Sequence, residues 1–267
     1  SLAMCHFAAS NMMQGKNVLY ITMEMAEEKI AERIDANLLN VRVDDLVKLE
    51  KSMYDKKIAD LRARTPGRLI IKEYPTASAH SGHFRHLINE LKIKRNFVPD
   101  IIYIDYLNIC ASSRTKAVGG TINSYTFVKA IAEELRGLAV EKNVPIVSAT
   151  QTTRAGFGNS DVGLEDTSES FGLPATADFM FAIINSDEME QLNQLMVKQL
   201  KNRYNDPTLY KRFVIGVDRA KMRLYDVEQN AQQDIVDDGP VMDNTEVGKG
   251  LNQAFGKPKK DFSDLWV

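Results

Sequence analysis

Short runs of apolar, β-branched residues recur along this chain with helical stretches between them, and that alternation limits the possible folds more than any other feature. Residues 17–22 (NVLYIT), 101–105 (IIYID) and 145–150 (PIVSAT) read as buried strands, with 69–72 as a further one. Residues 2–14, 25–39, 43–64, 80–96 and 122–143 carry helical spacing. Gly15 reads as a C-cap, while Pro66-Gly67 and Pro99 act as stops. Strands alternating with helices predict an α/β domain with a mostly parallel central sheet covered on both faces. Residues 152–177 read as a long polar loop. A strand at 179–184, a short helix at 187–195 and strands at 196–200, 212–217 and 222–227 follow, and the last three are expected to pair antiparallel. Residues 1–228 would form the domain, and 229–267 an acidic, flexible tail.

In a parallel sheet of this kind the ligand sits outside the carboxyl ends of the strands. Three polar residues fall there: Glu24 just past the first strand, Asp105 ending 101–105, and Gln151 just past 145–150. Asp105 after four apolar residues is the Walker B pattern, in which the carboxylate holds Mg²⁺ directly or through water. Glu24 can polarise an attacking water, and Gln151 can sense a terminal phosphate. Taken singly, each has a plain alternative: a strand-end carboxylate, a first-turn Glu favoured by the helix dipole, a solvated loop amide. A purely structural explanation does not predict all three at one edge.

The 267 residues carry a formal net charge of −2, so no bulk basic character advertises nucleic acid. From Asp226 onward there are nine Asp and Glu against four Lys, a net of −5, which leaves +3 on the body. Any contact with nucleic acid must therefore come from local positive charge. Two cysteines, Cys5 and Cys110, argue against a disulfide framework and fit a reducing cytoplasm. No apolar run approaches the roughly 18 residues of a membrane span. The chain opens at Ser1 inside a helical pattern, which reads as a fragment.

Residues 17–35 (NVLYITMEMAEEKIAERID), 101–109 (IIYIDYLNI), 124–140 (SYTFVKAIAEELRGLAV), 173–180 (LPATADFM) and 198–204 (KQLKNRY) resemble the DnaB-class hexameric replicative DNA helicases. Within that class they look most like those of T-even-type tailed phages. The resemblance spans about residues 1–228, with the motifs in the family's order. It implies a RecA-like P-loop NTPase core and, in the full-length protein, an ATP-dependent DNA helicase that translocates on single-stranded DNA. By position, Glu24 matches the family's catalytic glutamate and Asp105 its Walker B aspartate. Gln151 matches the glutamine of a motif usually written Ser-Gln-Leu-Asn-Arg; Thr150 and Thr153 replace its Ser and Asn, and Arg154 is kept. Lys201 and Arg203 match the pair that reaches a neighbouring subunit's nucleotide, with Arg203 as the arginine finger. Read from composition alone, that pair is a solvated basic turn.

One departure is large: the phosphate cradle G-x-x-x-x-G-K-[ST] is absent. Aligned to the family, Ser1 falls on its final Ser/Thr, the hydroxyl that ligands Mg²⁺ beside ATP. The chain alone is accordingly expected to bind ATP poorly. The resemblance further implies a homo-hexameric ring and a possible primase and helicase loader. DNA loops are expected at 114–121, with Arg114 and Lys116, and at 154–177, with Arg154. The terminal Phe262, Leu265 and Trp266 read either as a segment that folds back or as a docking peptide. His80, His83 and His86 read as surface histidines, since no acidic or Cys ligand completes a metal site. Two other readings stand beside the helicase: a RecA/RadA-type recombination ATPase, and a nucleotide-free assembly module.

Overall fold

The structure is a computed structural model that describes residues 1–114, 124–152, 163–164, 172–206 and 209–228. Lys116, Arg154, Phe262, Leu265 and Trp266, and with them most of both expected DNA loops and the tail, lie outside the described residues.

The elements run α1 (Leu2–Met13), β1 (Val18–Thr22), α2 (Glu27–Leu39), α3 (Val43–Leu46), α4 (Lys51–Arg64), β2 (Leu69–Glu73), α5 (Ser81–Arg95) and β3 (Ile101–Asp105). Then come α6 (Ser124–Lys142), β4 (Ile146–Ser148), α7 (Gly172–Thr176), β5 (Phe179–Ile184), α8 (Asp187–Gln191), β6 (Gln194–Asn202), β7 (Arg212–Asp218) and β8 (Arg223–Asp226). A parallel sheet has the order β2-β1-β3-β4 and an antiparallel sheet the order β5-β6-β7-β8. The expected α/β class with antiparallel strands near the C-terminus is therefore observed.

The parallel sheet is buried on both faces because its strands carry apolar residues at successive positions. Leu19, Ile21, Ile102 and Ile104 pack with Phe84, Leu87 and Leu91 of α5 and with Ile131, Leu135 and Leu138 of α6. Val18, Tyr20 and Tyr103 face the other way, against Cys5, Ala8 and Ala9 of α1 and Ile30 and Ile34 of α2. Burying each large apolar side chain contributes about 2 kcal/mol relative to leaving it exposed.

Helix α1 touches both sheets. Asn11 Nδ2 donates to the Tyr103 hydroxyl at 2.8 Å, while the Phe7 ring meets Phe181 of β5 edge-on at 6.3 Å. Gly15 lies just past the helix with φ +84°, the left-handed conformation that only glycine adopts without strain.

Two expectations need correction. Residues 43–64 are two helices, α3 and α4. Lys48 N and Leu49 N bond back only three residues, to Asp45 and Leu46, and Glu50 is extended at φ −59°, ψ 140°. That break carries no glycine or proline to mark it in the sequence. The stretch 152–177 is also more than loop, since 172–176 form α7 with Leu173 and Pro174 buried. Proline is tolerated in the first turn of a helix, where its missing N–H has no intrahelical partner.

The three histidines lie on α5 and its cap, and two of them have a local role. The His80 ring accepts from Gly82 N at 3.0 Å, and His83 Nδ1 accepts from His80 N at 3.2 Å. Together they close a capping box at the start of α5. Among the described residues no His, Cys, Asp or Glu cluster forms a metal site.

Candidate functional site

The register of the parallel sheet brings the carboxyl ends of its strands level. Thr22 pairs with Asp105 on one side and with Glu73 on the other, and Ile104 pairs with Ser148. Met23 N continues the ladder to Asp105 O at 2.9 Å. Glu24 thus stands two residues beyond the partner of Asp105.

A tight turn aims Glu24 outward. The Thr22 hydroxyl donates to Met25 O at 2.8 Å and accepts from Met25 N at 3.1 Å. The Thr76 hydroxyl fixes Met23 O at 2.8 Å. The Glu24 side chain is exposed and has no hydrogen bond or ion pair among the described residues.

Asp105 is 2% exposed. The buried Tyr20 hydroxyl donates to its Oδ2 at 2.9 Å, and no described residue bonds its Oδ1. Tyr20 in turn contacts Cys5. Burial pushes the Tyr20 phenol far above its ordinary range. Burial also raises the Cys5 thiol to about 11, against the Tyr20 hydrogen bond and the chain's amino terminus, which pull it down. Ser1 is one turn from Cys5, whose N–H donates to Ser1 O at 2.9 Å. The Ser1 hydroxyl makes no capping hydrogen bond. The N-terminus of α1, the positive end of its dipole, therefore lies at the Asp105 edge.

Gln151 is exposed, and its Nε2 donates to the Tyr106 hydroxyl at 3.4 Å. The peptide between Asp105 and Tyr106 is cis. Leu107 N reaches Ala149 O at 3.1 Å, tying the chain after β3 to the chain after β4. Beside Gln151, Thr150 Oγ1 is buried without a hydrogen-bond partner among the described residues. Glu24, Asp105 and Gln151 thus follow or end neighbouring strands at the carboxyl edge of the parallel sheet, with the N-terminus of α1 one turn from the Cys5 that Tyr20 contacts.

Lys201 and Arg203 do not join that rim. Both lie at the end of β6, where Met180 pairs with Lys201. Lys201 Nζ donates to Pro174 O at 2.5 Å and Ala175 O at 3.2 Å. Arg203 Nη1 donates to Asp178 Oδ1 at 2.6 Å, and Nη2 to Ala175 O at 3.1 Å. Arg136 of α6 donates to the same Asp178 oxygen at 2.6 Å and to Thr176 O at 2.8 Å. Burial lowers the Lys201 pKa, and the Arg203 charge adds to that. For Asp178, desolvation acts upward but is outweighed by the hydrogen bond and charge of Arg136 and by the Arg203 charge, so its carboxyl lies below the usual range. Sequence pattern alone assigns nothing to Tyr20, Asp178 or Arg136. The one signal for Asp178 is its place in the Ala-Asp just before an apolar strand.

Arg114 is exposed and donates to Glu133 at 2.5 Å. The chain just before it is anchored on Glu134, which accepts from Ser81 Oγ at 2.9 Å, Ser112 Oγ at 2.6 Å and Ser113 N at 3.0 Å. Desolvation acts to raise the Glu134 pKa, and these hydrogen bonds outweigh it and bring it below the ordinary value. A separate cleft of about 440 Å³ is lined by Phe7, Phe179, Phe181, Phe213 and Tyr225 among others. It is apolar and holds none of the charged residues above.

Among known proteins, residues 1–213 match the family described as "DnaB-like helicase C terminal domain". The chain is 47% identical over 234 residues to the "DnaB-like replicative helicase" of Enterobacteria phage T4, covering 86% of this chain and 49% of that protein. It is 26% identical over 199 residues to a "Probable plasmid replicative DNA helicase" of Chlamydia psittaci, covering 72% of this chain and 41% of that one. This chain therefore spans about half the length of the curated relatives it matches, or less. Two solved structures share the fold at 16% identity. One is described as "The Structure Of A DnaB-Like Replicative Helicase And Its Interactions With Primase", with a TM-score of 0.68 over 85% of this chain and 54% of that one. The other is described as an "ATPase Domain", with a TM-score of 0.66 over 85% of this chain and 82% of that one.

Proposed function

Because the chain belongs to the DnaB-like helicase C-terminal domain family, we propose that it is the ATP-hydrolysing motor segment of a replicative DNA helicase. The full-length protein translocates on single-stranded DNA and separates the duplex ahead. Residues 1–228 form the motor and 229–267 an acidic tail. The observation that carries this reading is the register Thr22↔Asp105, which sets Glu24 beside Asp105 on the rim that Gln151 and Ser1 share.

The groups on that rim fit a magnesium-bound triphosphate. Asp105 Oδ1 and the Ser1 hydroxyl, neither bonded by a described residue, are hard oxygen donors of the kind Mg²⁺ prefers, and the Thr150 hydroxyl, also without a partner among the described residues, lies beside Gln151. Mg²⁺, when bound, neutralises charge on the phosphates. Glu24, exposed and without a partner among the described residues, orients the attacking water. Gln151 contacts the terminal phosphate. Ser1 carries the positive end of α1 toward the phosphates.

Lys201 and Arg203 make their hydrogen bonds to Pro174, Ala175 and Asp178, and they serve a neighbouring protomer's nucleotide. Such a contact is heterologous, and repeated about a closing axis it makes a ring; six subunits is the number expected. Arg114, Lys116 and Arg154 follow the phosphate backbone of the strand in the ring's channel. A primase and a loader are the expected protein partners, the latter through Phe262, Leu265 and Trp266. The site of action is the cytoplasm, and no helix among the described residues is long and apolar enough to cross a membrane.

The deciding experiment is Glu24→Gln in the full-length protein. Loss of ATP hydrolysis and forked-duplex unwinding, with ATP binding retained, is the expected result. Unchanged hydrolysis would remove Glu24 and the reading built on it.

A further inference from the structure

The groups around Arg203 form a built arrangement. Strand pairing fixes its backbone, since Arg203 N donates to Asp178 O at 2.9 Å. Its guanidinium then folds onto the Asp178 carboxylate and Ala175 O. Arg136 of α6 donates to the same carboxylate oxygen and also holds Thr176 O. Lys201 takes Pro174 O and Ala175 O. Three cations thus share one carboxylate and the last carbonyls of α7, the negative end of that helix. The cluster has positive charge in excess and is 37–40% exposed at Arg136, Asp178 and Arg203, so it remains open to an outside anion.

We propose that Asp178, braced by Arg136, is the positioning residue of Arg203, holding its guanidinium ready for a phosphate on a neighbouring protomer. The inference rests on the reading of Arg203 as a trans-acting residue. A guanidinium has five N–H donors in a rigid fork. Nη1 and Nη2 each give one within the protomer, which leaves the other donors to bridge phosphate oxygens while those two bonds persist. An unrestrained arginine must lose its rotamer freedom on reaching the phosphate. Asp178 takes that loss in advance, in the folded protomer, so the cost no longer falls on the transition state.

The test is steady-state ATPase of the full-length protein with single-stranded DNA present, using Asp178→Asn, Arg203→Ala and their combination. Asp178→Asn is expected to lower kcat about 10- to 100-fold with KM for ATP within about twofold, because the interaction it removes is made in the transition state. The double variant should be no slower than Arg203→Ala alone, since the two groups act as one unit. If Arg203→Ala keeps full kcat, the trans-acting reading itself is overturned. If Arg203→Ala is inactive while Asp178→Asn turns over normally, that reading stands and the positioning role is overturned. A double variant much slower than Arg203→Ala also overturns the positioning role, and a merely structural Asp178 would produce that result. Should Asp178→Asn not fold, Arg136→Met removes the brace and leaves both other residues in place. It is expected to lower kcat at unchanged KM, and a folded Arg136→Met with full kcat overturns the proposal.

Discussion

The hydroxyl of Tyr20 and the carboxylate of Asp105 meet at 2.9 Å on adjacent parallel strands, both almost fully shielded from solvent. Tyr20→Phe deletes the donor and leaves a buried carboxylate oxygen unpaired. The expected cost is about 1–3 kcal/mol, read as a Tm lower by about 2–4 °C per kcal/mol for a domain of this size. In the full-length protein the same change should weaken the Mg²⁺ dependence of ATP hydrolysis. A variant with unaltered Tm would show that the bond contributes nothing to the fold.

Subunit mixing tests action across a protomer boundary. Full-length Glu24→Gln and Arg203→Ala rings should each be inactive. Rings assembled from equal amounts of both should recover activity, because about a quarter of boundaries then unite a sound Glu24 with a sound Arg203. Mixed rings as dead as the parents would place both residues in one protomer's site.

Arg114 offers a test through salt. Its guanidinium is exposed and anchored at 2.5 Å to Glu133. Arg114→Ala in the full-length protein should weaken single-strand binding and flatten the plot of log K against log salt by roughly 0.7 for each phosphate no longer neutralised. An unchanged slope would take Arg114 off the DNA path.

Acid should loosen the anchor at Glu134. Its folded pKa lies below its ordinary value of 4.5, so the unfolded chain binds the proton more readily. The stabilisation is complete above about 4.5 and is lost as pH falls through the lowered folded value. In urea titrations of the full-length protein between neutral and acidic pH, the gap in midpoint between wild type and Glu134→Gln should narrow on acidification. A constant gap would deny the linkage.

The capping box of α5 depends on the His80 ring. His80→Ala should cost about 0.5–2 kcal/mol, and His80→Asp, which keeps an acceptor, much less. Thermal melts of the two variants decide it, and equal Tm values would discount the cap.

What the sequence made legible was whatever local pattern determines. The apolar runs NVLYIT and IIYID define β1 and β3 to within a residue, and the polar residues at their ends follow directly. Glu24, Asp105 and Gln151 could be placed at one edge because a parallel sheet presents its carboxyl ends together whatever the details of packing. Asp178 and Arg136 were not found, because their meeting depends on the β5–β6 register and on where α6 lies, neither of which leaves a periodic trace. Helix α7 was missed because five residues are too few to show a period. The turn between α3 and α4 was missed because residues 47–50 include no glycine or proline to mark it. The histidines looked idle because a cap formed by ring nitrogens has no compositional signature.

Helix α1 holds Tyr103 of one sheet through Asn11 and Phe181 of the other through Phe7. Both sheets therefore share this helix as a neighbour. Its 12 residues span about 18 Å, and Ser1 sits at the tip. A displacement of that tip along the helix axis would bear on Tyr103 and Phe181 together.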